Sequence, residues 1–226
     1  MPFQEEENSK SSRLPSHKFL SLNFWGIVLV LLGLAILIGI YFPLLKEETK
    51  YFFSSKGRNA VVLGNESSAQ NASAGKDIQI IRPVDENFGL VIPKISANAK
   101  VIAGVDPNDP KIYEKALTQG VAQAKGTENP GGDGNIFIFA HSGLDLPEAL
   151  RYNAVFYLLD KLETGDEIDL FYQGHEFQYR VTQKKVVNAE EVGYLNGQAG
   201  KKTVTLMACW PPGTTWQRML VIGEQI

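Results

Sequence analysis

The chain carries a single cysteine, Cys209, and three histidines, His17, His141 and His175. Cys209 ends an apolar run, TVTLMAC, that reads as a β-strand. Side chains alternate along a strand, so Thr203, Thr205, Met207 and Cys209 share one face while Val204, Leu206 and Ala208 share the other. The thiol is thus delivered on the more polar face, at a strand end. A Pro211-Pro212-Gly213 loop follows, and nine positions after the thiol Arg218 opens another apolar run, RMLVI. If those two strands are neighbours, thiol and guanidinium lie close together. His141 follows a third apolar run, NIFIFA, where the chain breaks at Ser142-Gly143. A thiol, an imidazole and a guanidinium suit acyl transfer. The thiolate attacks an amide carbonyl, the imidazole protonates the departing amine and later deprotonates an incoming one, and a fixed arginine stabilises the oxyanion or grips the substrate backbone. Taken singly, each residue has a plainer role: a small buried hydrophobe, a structural histidine, a solvated arginine.

Three strand ends must therefore be brought together. Runs of β-branched and aromatic residues bounded by Gly, Pro, Asp or Asn predict strands over 89–92, 94–102, 135–140, 167–172, 176–187, 203–208 and 218–222. FYQGHEFQYRV predicts a hairpin turning at Gly174 and His175. A short helix is expected over 111–118, with Asp109 as N-cap and Pro110 in its first turn, and a helical turn over 149–158. Many strands with few short helices indicate an all-β fold, a closed or nearly closed β-barrel with one or two short helices.

The barrel is expected over residues 78–226, a normal size for one domain. Ahead of it, WGIVLVLLGLAILIGIYFPLL (25–45) holds no charge and, as a helix, would span roughly 31 Å, close to a bilayer's hydrocarbon thickness. That run exceeds the apolar core of about 7 to 15 residues in a signal peptide. The reading is one uncleaved transmembrane helix at 23–45, preceded by a polar cytoplasmic tail (1–22). The stretch 46–77, rich in Ser, Asn, Lys, Gly and Ala, reads as a flexible linker. The catalytic domain would then be extracellular on a single-pass membrane protein. A net charge of −3 excludes a polybasic nucleic-acid binder, 44 % hydrophobic content excludes a disordered chain, and one cysteine excludes an internal disulfide.

These stretches together resemble the sortase family, membrane-anchored cysteine transpeptidases of bacterial surfaces. LVIPKISANAKVI resembles its opening strand pair, ALTQGVAQAKGTENPGGDGNIFIFAHS the approach to its catalytic histidine, and FYLLDKLETGDEIDLF the element leading into its central strands. TLMAC followed by Arg218 resembles its Thr-Leu-x-Thr-Cys…Arg signature, with Ala208 where the family commonly has Thr and Ala140 where Gly is frequent. The resemblance covers most of residues 88–222. It implies a sortase β-barrel with Cys209 as nucleophile, His141 as general acid/base and Arg218 as oxyanion or substrate stabiliser. It also implies cleavage of the C-terminal sorting signal of secreted proteins through a Cys209 thioester. The acyl group then passes to an amine of the cell wall or of another, pilin-like protein subunit. No cofactor and no metal are expected. Two other readings stay open on the residues: a hydrolytic cysteine peptidase with water as acceptor, and a non-catalytic anchored β-domain that binds peptides.

Around this trio, Trp210, Trp216 and Ala208 are candidate substrate-binding residues beside the nucleophile. Asp145, four residues after His141, could orient an imidazole, though a solvated turn carboxylate is the simpler reading. Asp106, Asn108, Asp109 and Glu114 form an acidic cluster without EF-hand spacing, and helix capping accounts for Asp109. His17 reads as a solvated tail residue and His175 as an exposed hairpin residue.

Overall fold

The computed structural model describes residues 24–39, 60–62, 79–142, 155–191, 193–196 and 200–226. The alternating and continuous apolar runs become strands β1 (Ala60–Val62), β2 (Gln79–Ile81), β3 (Phe88–Ile92), β4 (Ala97–Val105), β5 (Val121–Ala124), β6 (Gly134–Phe139), β7 (Glu167–Tyr172), β8 (His175–Asn188), β9 (Lys202–Trp210) and β10 (Gln217–Gln225). β1 and β2 pair in parallel as a small separate sheet, which places Ala60–Val62 inside the expected linker; the linker's other residues lie outside the described ones. β3 to β10 close into a barrel in the ring order β10-β8-β7-β3-β4-β5-β6-β9, with β9 returning to β10. Two of its seams, β4 with β5 and β6 with β9, are parallel, and the others are antiparallel. Leu90, Ile138, Leu170, Val204 and Leu206 fill the interior with no exposed surface.

Each expected strand is present, with shifted ends that have local causes. The strand expected from residue 94 begins at Ala97, because Pro93–Ile95 forms a 3₁₀ turn closed by Ser96 in the left-handed region (φ 53°). The β7–β8 hairpin turns at Gln173-Gly174, where both residues have positive φ (52° and 79°), as a tight hairpin turn requires. His175 is therefore the first rung of β8, opposite Tyr172, and it is exposed. β5 was not expected: VAQA is short and small-chained. It is buried along its whole length and reaches β4 through Gly120, where a Cβ would come within 2.1 Å of the Lys100 carbonyl oxygen.

A helix over 24–39 falls within the expected anchor and is here called α1. It exposes Phe24, Trp25, Ile27, Leu31 and Ile38. At 1.5 Å per residue its described part is roughly 24 Å long, short of a ~30 Å hydrocarbon core. Among the described residues no helix is long and apolar enough to cross a membrane. The expectation of a spanning helix over 23–45 is therefore not carried by the fold. Residues 40–45 lie outside the described ones. α2 (Pro110–Leu117) forms as expected: the Asp109 carboxylate accepts from the Lys111 amide at 3.0 Å, and Pro110 opens the helix. Of the helical turn expected over 149–158, residues 149–154 lie outside the described ones, and 155–158 form a turn followed by a 3₁₀ turn at Leu159–Lys161.

One polar residue sits badly with this packing. Asp169 of β7 is 1 % exposed, and neither carboxylate oxygen has a hydrogen-bond partner among the described residues. Burial, reinforced by the charges of Glu176 and Glu167, raises its pKa to about 7. The folded pKa exceeds the unfolded value of 3.8, so Asp169 is harmless below about pH 4. Stability is then lost as pH rises towards 7, with no further loss above. Asp169→Asn should stabilise the fold by roughly 2–4 kcal/mol at pH 8 and by almost nothing at pH 4, as read by urea unfolding at both pH values.

Candidate active site

β9 is the axis of the site. On one side it runs parallel to β6, in a register that sets Ile138 beside Leu206 and Phe139 beside Met207. The Ala140 amide donates to the Met207 carbonyl at 3.1 Å, so the ladder continues one step past β6. Carrying that register forward brings His141 level with Cys209. The next contact is made by a side chain: the Ser142 hydroxyl donates to the carbonyl oxygen of Cys209 itself. A regular parallel ladder would put the Ser142 amide there. The hydroxyl thus fastens the His141 segment to the Cys209 backbone as the chain leaves the sheet.

On its other side β9 runs antiparallel to β10, and Arg218 lies directly opposite Cys209. Directly opposed residues sit about 5 Å apart and project to the same face. The inference from TLMAC and RMLVI therefore holds: the two strands are neighbours, and the thiol and guanidinium share a rung. Cys209, His141 and Arg218 are all half-buried. Nη1 of Arg218 donates to the carbonyls of Thr215 and Gln217, both at 3.0 Å, which anchors the guanidinium to the loop leading from Pro211 to β10.

The floor around the thiol is the outer face of β6 and β9. Asn135 and Phe137 of β6 are level with Thr203 and Thr205 of β9, two strand positions apart along each chain, on the same face as Cys209. Two elements cover β6 there. Tyr113 of α2 meets Phe139 edge-on (6.4 Å, 77°), and Tyr194, in the 3₁₀ turn Gly193–Asn196, stacks on Phe137 (5.6 Å, 21°). Nδ2 of Asn135 donates to the carbonyls of Tyr194 and Leu195, at 3.3 and 3.2 Å. Its Oδ1 accepts from the hydroxyls of Thr203 and Thr205, at 3.0 and 2.9 Å. Burial raises the Tyr194 phenol pKa; the positive charge of Arg218 pulls it down and Glu191 pushes it up. The Tyr194 turn is thus packed on β6 as a wall beside this face. Beyond it a cavity of about 370 Å³ is lined by Thr203, Thr205, Ile222 and Lys185.

The other sequence candidates separate. Ala208 is 1 % exposed and faces the barrel interior among Met219 and Val221, so it lines no groove; this corrects its candidacy for substrate contact. Trp210 is half-buried against the core, whereas Trp216 is 73 % exposed on the loop that Arg218 anchors. Asp145 lies outside the described residues. Asp106 and Asp109 accept from the amides of Asn108 and Lys111, as residues of a turn and a helix cap do, and among the described residues no cluster of three His, Cys, Asp or Glu could hold a metal. Sequence reasoning missed Ser142, read only as a chain break, and Asn135 with Tyr194. The available signal for Asn135 was a lone amide in phase with Phe137 and Phe139 in an otherwise apolar strand.

Residues 90–226 match the family model described as Sortase domain. The chain is similar to Sortase D of Bacillus subtilis (strain 168), at 26 % identity over 140 residues, covering 61 % of this chain and 62 % of that protein. Among solved structures it is similar to Sortase C1 of GBS Pilus Island 1, at 29 % identity and a TM-score of 0.53 over 62 % of this chain and 64 % of that one. It is also similar to Clostridium perfringens sortase C, solved with the C-terminal cell wall sorting motif, at 31 % identity and a TM-score of 0.51 over 61 % and 69 % of the two chains. The chain spans less than two thirds of the length of the curated relatives it matches.

Ser142 is 2 % exposed, so Ser142→Ala strands a carbonyl that water does not reach easily. The substitution should cost about 1–3 kcal/mol in urea unfolding, while Ser142→Thr, which keeps the hydroxyl, should cost much less.

Proposed function

Because this chain belongs to the sortase family, we propose that it is a cysteine transpeptidase acting on the C-terminal sorting signals of secreted proteins. Cys209 as thiolate attacks the scissile carbonyl; the C–S bond forms, and the tetrahedral oxyanion lies on the side of Arg218. Collapse breaks the C–N bond as imidazolium His141 gives its proton to the departing amine, leaving a thioester. An amine of the cell wall or of another protein subunit then attacks the thioester. His141 takes the amine's proton, the new amide forms, and Cys209 leaves as thiolate. The observation that carries this reading is the shared rung of Cys209 and Arg218, with the His141 segment tied to the same residue through Ser142.

The sorting motif solved with a relative supports a peptide substrate of this class. Trp216, exposed on the loop beyond the nucleophile, is the residue we assign to the acceptor side, with Trp210 packed behind it. The apolar faces all round α1 suit a helix in lipid, and we assign 23–45 to a membrane anchor with the barrel outside the cytoplasm.

The test is the full chain in detergent with a library of sorting-signal peptides, followed by mass spectrometry. A Cys209 acyl adduct should form, and adding an amine should divert it to an amide product. Cys209→Ala should give no adduct. Arg218→Ala should lower the acylation rate by about 10²–10³-fold, and Arg218→Lys should restore little of it, because an ammonium lacks the planar fork. Turnover by Cys209→Ala, or an adduct on no peptide, would overturn the proposal. Product that ignores the amine would make water the acceptor.

A further inference from the structure

We propose that Asn135 is a positioning residue that latches the wall of the substrate groove to its floor. The inference rests on the transpeptidase reading for what the groove holds. Asn135 is 4 % exposed, and both ends of its amide are occupied. The two carbonyls it faces, of Tyr194 and Leu195, can only accept, so the NH₂ end must point to the wall. The oxygen end then faces Thr203 and Thr205, whose hydroxyls must donate. The orientation is fixed by its partners on both sides. One side chain thus joins β6, β9 and a turn about sixty residues away, and Tyr194 is held in its stack on Phe137 as a result. Tyr194 is also the wall residue that feels the Arg218 charge. An extended peptide with its carbonyl at Cys209, running back along the β6–β9 face at about 3.3 Å per residue, meets this turn within a few residues, where Tyr194 already covers Phe137 and ends the open floor. Asn135 therefore sets where the peptide sits without touching the reacting atoms.

Asn135→Asp separates the latch from the fold. It keeps the side chain's shape and both threonine bonds, but turns an oxygen towards two carbonyl oxygens. In the full chain, chymotrypsin should cut after Tyr194 at least ten times faster than in the unmutated protein. KM for a sorting-signal peptide should rise about tenfold, with kcat and the rate of Cys209 alkylation by iodoacetamide within twofold. Tyr194→Ala should raise KM similarly, and the double variant should be no worse than Tyr194→Ala alone, since both act through one wall. Should Asn135→Asp not fold, Thr205→Val removes one of the donors that orient the amide and carries the same expectations at smaller size. Unchanged cleavage with unchanged KM overturns the latch. So do additive effects in the double variant, or a parallel fall in kcat and alkylation. If the unmutated chain turns over no peptide while cleavage after Tyr194 still accelerates, the transpeptidase reading falls and the latch stands.

Discussion

The register of β9 between its two neighbours is the constraint on which the site depends. Strand side chains alternate, so a one-residue slip of β9 would turn Cys209 into the barrel and Ala208 out of it. Two sets of contacts oppose that slip. Inside, Val204, Leu206 and Ala208 pack with Ile136, Ile138, Met219 and Val221. Outside, the hydroxyls of Thr203 and Thr205 converge on one buried amide oxygen. The first is a volume match and the second a directional one; both fix the same alignment.

Strand polarity explains why three distant segments meet. β6 and β9 are parallel, so their C-terminal ends emerge on one side of the barrel, carrying His141 and Cys209. β10 is antiparallel to β9, so it begins where β9 ends, and its first residues include Arg218. An imidazole, a thiol and a guanidinium are thus gathered by connectivity alone. The polar detail then acts at short range: Ser142 on the Cys209 carbonyl, and Arg218 on the carbonyls of Thr215 and Gln217.

Much of this was legible in the chain because it is local. Alternation placed Cys209 on the polar face, Arg218 was expected near it if the two strands were neighbours, and Asp109-Pro110 marked a helix start that the fold uses. What was missed is non-local. β5 is only four residues long, with Val121 its one β-branched side chain, and Gly120 lets its backbone approach β4. The Asn135–Tyr194 link has no local sign, since an amide in a strand says nothing of the carbonyls it will meet from a distant turn. Ala208 was misjudged because nearness to Cys209 in sequence is opposition across a pleat. The apolar run at 25–45 is unambiguous as composition, but only its 25–39 part is described as helix.

The barrel's closure has a consequence for recognition. Beside Cys209, β9 is flanked by β6 on one side and paired with β10 on the other, so this stretch of the barrel offers no free edge to a visiting chain. A peptide laid there is not gripped by strand addition, the mode in which backbone hydrogen bonds supply affinity whatever the sequence. It must lie across a finished sheet, held by side chains that rise from the floor and by the segments that border it. Discrimination between one peptide and another is thereby moved out of the ladder and into a few removable parts, which one barrel can exchange while its interior stays the same.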